Sequence, residues 1–145
     1  MLLLANPALR LFAVTASILA LQLLLLAFWT AGTRSGTKTA LNPEDMKLGS
    51  GIKVVETESD KVLRVKRAHL NAIENMVPFT VVGLLYALSG PSDTGAKAYF
   101  FTYLGARLLH SFFYLRAIQP FRTASFAVGA LATIGMAVHV LRVVL

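Results

Sequence analysis

Between Arg64 and Phe79 the chain reads R-V-K-R-A-H-L-N-A-I-E-N-M-V-P-F and passes directly into the apolar run from Val81 to Leu88. On a helix turning about 100° per residue, Arg64, Arg67, Asn71, Glu74 and Asn75 share one narrow face, with His69 near the opposite side. Guanidinium forks and amides grouped in this way suit the binding of a polar anion. If the helix crosses a membrane, these groups must face the bundle interior or a water-filled site, because exposure to lipid costs several kcal/mol each. Arg64 and Lys66 read as flanking residues that snorkel to the headgroups. Arg67, Asn71 and Glu74 carry the polar face deeper and are the site candidates.

A second polar stripe lies farther along. Tyr103, Arg107, His110, Ser111 and Tyr114 fall within about 100° of one another on a helix. An intramembrane arginine needs a counter-charge, and Glu74 is the one carboxylate that the predicted spans contain. A pair of Glu74 with Arg67 or Arg107 is therefore expected, either to lock helices together or to serve a site. His110 by itself reads as a satisfied interior histidine. With His69 on a different face and no cysteine in the chain, no metal site is expected.

The elements that must position these residues follow from composition. The 145 residues are 56% hydrophobic and 14% charged, with mean hydropathy +0.65. Soluble domains lie nearer about 45–50% and 25%. An all-α integral membrane protein forming one domain is predicted. The net charge of +7 could suggest nucleic acid, but the basic residues sit at helix ends and no stripe of them alternates with stacking aromatics. Nucleic-acid binding is set aside. Without cysteine there is no disulfide and no cysteine nucleophile.

Four spans are predicted, at about 8–31, 62–88, 94–117 and 123–142, with a polar loop over 33–61. Asn6-Pro7 supplies a cap and an N1 proline before an apolar run from Leu11 to Trp29, long enough to span a bilayer. Trp29 stands where a signal peptide would need a small residue for cleavage, so the segment is read as a span. The loop balances its charges, and Asn42-Pro43-Glu44-Asp45 predicts a short helix. Pro78 should kink the second span. Gly129, Thr133 and Ala137 form a small-residue seam on the fourth. Arg34, Lys38, Lys47, Lys53, Lys61, Arg64, Lys66, Arg67, Arg116 and Arg122 lie on one side of the membrane, against Arg10, Lys97 and Arg142 on the other. By the positive-inside rule the loop is cytoplasmic and both termini are outside.

The converging arginines, with the Asn71 amide and the Tyr114 hydroxyl, describe a pocket for a polar anion that opens sideways to lipid, from which a hydrophobic partner could enter. The Arg64–Pro91 segment, the upstream N-P-E-D at Asn42 to Asp45 and G-A-R-L-L-H-S-F-F-Y-L at Gly105 to Leu115 resemble the MAPEG superfamily, membrane-associated proteins in eicosanoid and glutathione metabolism. The likeness runs from about Arg34 to the end of the fourth span and is strongest to the glutathione transferase branch, with the prostaglandin synthase branch next. It implies a four-helix bundle assembled as a homotrimer, in a bacterial inner membrane or the endoplasmic reticulum, with glutathione between neighbouring subunits near the cytoplasmic face.

By position, the resemblance implies that Arg34, Arg67, Asn71, Glu74, Arg107, His110 and Tyr114 bind glutathione or brace the residues that do. Arg122 matches the arginine that stabilises the thiolate, and the neighbouring Thr123 hydroxyl could add a hydrogen bond. Leu70 stands where the prostaglandin synthase branch has arginine, and Ala72 replaces an aspartate common in the family. The connection from Tyr114 to Arg122 is one residue short, so Arg122 is placed by its Pro-x-Arg context. The implied function is conjugation of glutathione to lipophilic electrophiles, with glutathione-dependent peroxidase activity toward lipid hydroperoxides. A glutathione-dependent isomerase of the prostaglandin type and a non-catalytic lipid-binding scaffold are the alternatives.

Overall fold

The computed structural model describes residues 5–145, and four long helices carry the fold. Helix α1 (Pro7–Thr37) starts where Asn6 Oδ1 accepts the Leu9 amide at 3.0 Å, with Pro7 in the first turn. It runs on through Gly32 and Gly36 and stops only at Lys38, whose φ of 51° turns the chain out of the helix. The hydroxyls of Thr30, Thr33 and Thr37 bond carbonyls of the preceding turn at 2.7–2.8 Å. Arg34 is therefore a residue of the last helical turn.

The loop that follows is ordered locally. Strands β1 (Thr39–Ala40) and β2 (Lys53–Val54) pair in parallel, Thr39 opposite Lys53, and a 3₁₀ helix at Pro43–Leu48 lies between them. This is the short helix expected there, in 3₁₀ form, although its Asn42 makes no side-chain cap bond.

Helix α2 (Asp60–Leu88) continues through Pro78. Because proline has no N–H, it leaves the Glu74 carbonyl without its helical donor. Helices α3 (Asp93–Leu115) and α4 (Phe121–Val144) complete the bundle. The core is aromatic. Phe79 stacks on Tyr103 with centroids 4.0 Å apart, and Phe12 and Phe100 pack around Phe79 at about 6 Å. Gly83 leaves the space that Phe12 fills, and Gly135 the space that Tyr99 fills. The buried face of α4 runs through Ser125, Gly129, Ala132 and Met136. Of the expected seam of Gly129, Thr133 and Ala137, Gly129 lies on that buried face and Thr133 and Ala137 are half-buried beside it.

The outside of the bundle is apolar, with Leu21, Leu25, Phe28, Leu131 and Ile134 exposed. Helices α1, α2 and α4 are long and apolar enough to cross a membrane. The polar groups of α3 lower its mean hydropathy, but they point inward: Tyr103, Arg107, His110 and Ser111 are all buried.

Candidate functional site

The polar residues gather in three groups. The first ties α1, α2 and α3 together. Arg107, 3% exposed, donates from Nη2 to Asn71 Oδ1 at 2.9 Å and to the Asn71 carbonyl at 3.3 Å. Asn75 Nδ2 donates to the same carbonyl at 2.8 Å, and the Tyr103 hydroxyl donates to the Asn75 carbonyl at 2.8 Å. Gln22 Nε2 reaches across from α1 to Ser111 Oγ at 2.6 Å and to the Arg107 carbonyl at 3.3 Å. Gly129 makes this possible, since a Cβ there would lie 3.2 Å from Arg107 Cδ. Space within the chain at Arg107 is only about 10 Å³, about one water.

The second group surrounds the turn from α3 to α4. His110 Nδ1 lies 2.9 Å from the Arg122 carbonyl, which also accepts the Ser125 hydroxyl at 3.0 Å. The Arg122 guanidinium sits over the Tyr114 ring, 4.7 Å from its centroid, and His110 meets the same ring edge-on. With the Gln119 amide turned to satisfy both its atoms, its oxygen accepts Arg122 Nε and Nη2 at 3.1 and 2.5 Å. Its nitrogen then donates to Thr123 Oγ1 at 3.1 Å. Thr123 itself is exposed. Arg107, His110 and Tyr114 follow at three and four residues along α3, so the first two groups share one helix face.

The third group stands apart, at the mouth of the loop. Glu58 Oε1 accepts Nε and Nη2 of Arg34, both at 2.6 Å, and Oε2 accepts Lys66 Nζ at 2.7 Å. Burial alone would raise the Glu58 carboxyl, but the bonds from Lys66 and Arg34 and their charges outweigh it and hold the carboxyl below its ordinary value.

The expected pair of Glu74 with Arg67 or Arg107 does not form: among the described residues the ion pairs are those of Glu58. Arg107 points at the shoulder of α2 that carries Asn71, whereas Glu74 sits on the outer, exposed face. Arg67 is also exposed, and its Nε bonds the Leu63 carbonyl of its own helix at 3.2 Å. The single polar face read on α2 is thus two faces. Lys66, read as a snorkelling residue, is held by Glu58.

Of the residues in these networks, Gln22, Glu58, Gln119 and Ser125 escaped the sequence reading. Gln22 lies inside the run taken as apolar, and as the only amide there it was the available signal. Glu58 was one carboxylate among several in a charge-balanced loop and gave no signal. Two side-chain atoms at the site are buried without a partner, Arg107 Nη1 and His110 Nε2. Buried polar atoms in native proteins are nearly always bonded, and the space at Arg107 suits a single water rather than a larger ligand. No three His, Cys, Asp or Glu side chains among the described residues gather closely enough to hold a metal ion.

Residues 12–142 match the MAPEG family. Microsomal glutathione S-transferase 1 of Homo sapiens is 41% identical over 135 residues, 90% of this chain and 87% of that protein. The Rattus norvegicus protein of the same name is 40% identical over 141 residues, 94% of this chain and 91% of its own. Prostaglandin E synthase of Homo sapiens is 30% identical over 141 residues, 97% of this chain and 92% of that one.

Proposed function

The chain belongs to the MAPEG family of membrane proteins, and we propose that it is a membrane glutathione transferase that conjugates glutathione to lipophilic electrophiles. The observation that carries this reading is the setting of Arg122. A permanently charged guanidinium stands in the first turn of α4, seated on Tyr114 and braced through Gln119 and His110.

A thiol has a pKa near about 8.5, so only a few per cent is thiolate at neutral pH. Arg122 stabilises the anion without taking up a proton, and the unpaired N–H groups of the α4 N-terminus add positive potential. The Thr123 hydroxyl beside it is a further donor. Arg107 and His110 brace the site from inside the bundle, with Asn71 fixing Arg107 and Tyr114 forming the wall. The lipophilic partner arrives from the bilayer, into which the apolar exterior dissolves. The same thiolate serves glutathione-dependent reduction of lipid hydroperoxides.

A homotrimer is part of the proposal. Glu74 lies in the middle of an exposed stripe of α2 that runs through Leu70, Val77, Val81 and Leu84, with Arg67 at its end. A carboxylate cannot face lipid at that depth without a cost of several kcal/mol. The stripe is therefore where another copy of the chain packs, and glutathione sits between copies, consistent with the lack of a ligand-sized space at Arg107 within one chain. The loop and its basic residues face the cytoplasm, where glutathione is supplied.

Mixing the purified protein with glutathione and a chromogenic aryl halide tests the reading. A rate that saturates in glutathione is expected. Binding of lipid without any conjugation would favour a scaffold instead.

A further inference from the structure

Among the described residues Glu58 is the one buried carboxylate, 4% exposed, and it belongs to the loop between α1 and α2. It holds Arg34 along one edge only. Both contacting nitrogens, Nε and Nη2, fall on Oε1, while Arg34 Nη1 makes no hydrogen bond. The Arg34 side chain remains 34% exposed and lines a cavity of about 390 Å³ between the last turn of α1 and the loop, with Ser35, Lys38, Thr39 and Asp45. That volume lies within the range of about 300–1,000 Å³ usual for small-molecule sites. The clasp joins two cations to one anion, Arg34 and Lys66 against Glu58, and so leaves an excess of positive charge beside the cavity.

We infer that Glu58 is a positioning residue: it fixes the Arg34 guanidinium so that its free edge meets a carboxylate of glutathione in this cavity. The inference rests on the proposed function, which supplies the ligand. A long arginine side chain loses rotamer freedom when it binds an anion, and a partner that has already ordered it removes that cost from binding. Lys66 on the second oxygen keeps the Glu58 carboxylate ionised and in place. The effect falls on ground-state affinity, because Glu58 reaches the ligand only through Arg34.

The experiment is a cycle on the full-length protein in detergent, with glutathione as the probe: wild type, Glu58→Gln, Arg34→Ala and the double variant. Glu58→Gln is expected to raise the glutathione Kd and KM roughly fivefold to tenfold, as when a charge-assisted contact is weakened, with kcat at saturation little changed. In the Arg34→Ala background the Glu58 exchange should have no further effect on Kd. An unchanged Kd in Glu58→Gln overturns the inference, and a lowered Kd does so by making Glu58 a competitor for Arg34. An equal effect in both backgrounds also overturns it, since Glu58 would then act on the fold alone. Should Glu58→Gln not fold, Glu58→Asp keeps the charge and withdraws the carboxylate by one methylene. A raised Kd supports positioning there and an unchanged Kd contradicts it. A wild type that binds no glutathione defeats the proposed function and this inference together, whereas a wild type that binds beside a Glu58→Gln variant of equal affinity defeats the inference alone.

Discussion

His110 Nδ1 lies 2.9 Å from the main-chain carbonyl of Arg122, joining the buried face of α3 to the first turn of α4. A carbonyl only accepts, so Nδ1 carries the hydrogen, and in the neutral ring Nε2 is left as an acceptor. The bond fixes the backbone from which the Arg122 guanidinium departs toward Tyr114.

His110→Ala therefore lowers the thiolate signal and kcat together, by roughly fivefold to tenfold, the worth of one lost hydrogen bond. Ultraviolet difference spectra on adding glutathione and steady-state kinetics check this. Full thiolate formation in that variant would mean that the bond serves folding alone.

Glu74→Gln should release subunits. The exposed carboxylate has no partner within the chain, and its place on an apolar stripe implies one on another copy. Removing one member of a buried pair costs about 3–5 kcal/mol. Size-exclusion chromatography with light scattering in detergent should show smaller species than for the wild type, while the loop control Glu56→Gln stays assembled. An intact trimer in Glu74→Gln would place Glu74 elsewhere.

The Glu58 clasp predicts a pH dependence of stability. Its carboxyl is held below the 4.5 of an unperturbed glutamate, so the clasp stabilises the fold fully above that value. The contribution is lost as pH falls below 4.5 through the folded value. With Arg34 and Lys66 each about a third or more exposed, the loss lies between about 1 kcal/mol for surface pairs and the 3–5 kcal/mol of buried ones. Melting temperatures of wild type and Glu58→Gln should differ at neutral pH and converge in acid. A gap that stays constant with pH would remove Glu58 as its source.

The helices could be read from the sequence because their signals are local: apolar length, Asn6-Pro7 at one start, and three- and four-residue spacing for the stripe of Arg107, His110 and Tyr114. What a helical wheel does not contain is the rotation of one helix against another. That rotation decides whether Arg107 meets Asn71 or Glu74, only three residues apart on α2, and the wrong partner was expected. The Glu58 clasp joins residues 24 and 8 positions apart through a loop, a separation for which sequence spacing offers no rule. Gln22 was visible but, with most of its neighbours apolar, its partner on α3 was not.

In the proposed function Arg122 holds the glutathione sulfur as thiolate. Its most direct test is the ultraviolet thiolate signal of Arg122→Leu on adding saturating glutathione at neutral pH, beside the conjugation rate as pH rises. The variant should remain a trimer that binds glutathione, give little thiolate signal, and recover part of its rate above about pH 8.5, where the free thiol ionises unaided. A full thiolate signal in Arg122→Leu would contradict that role.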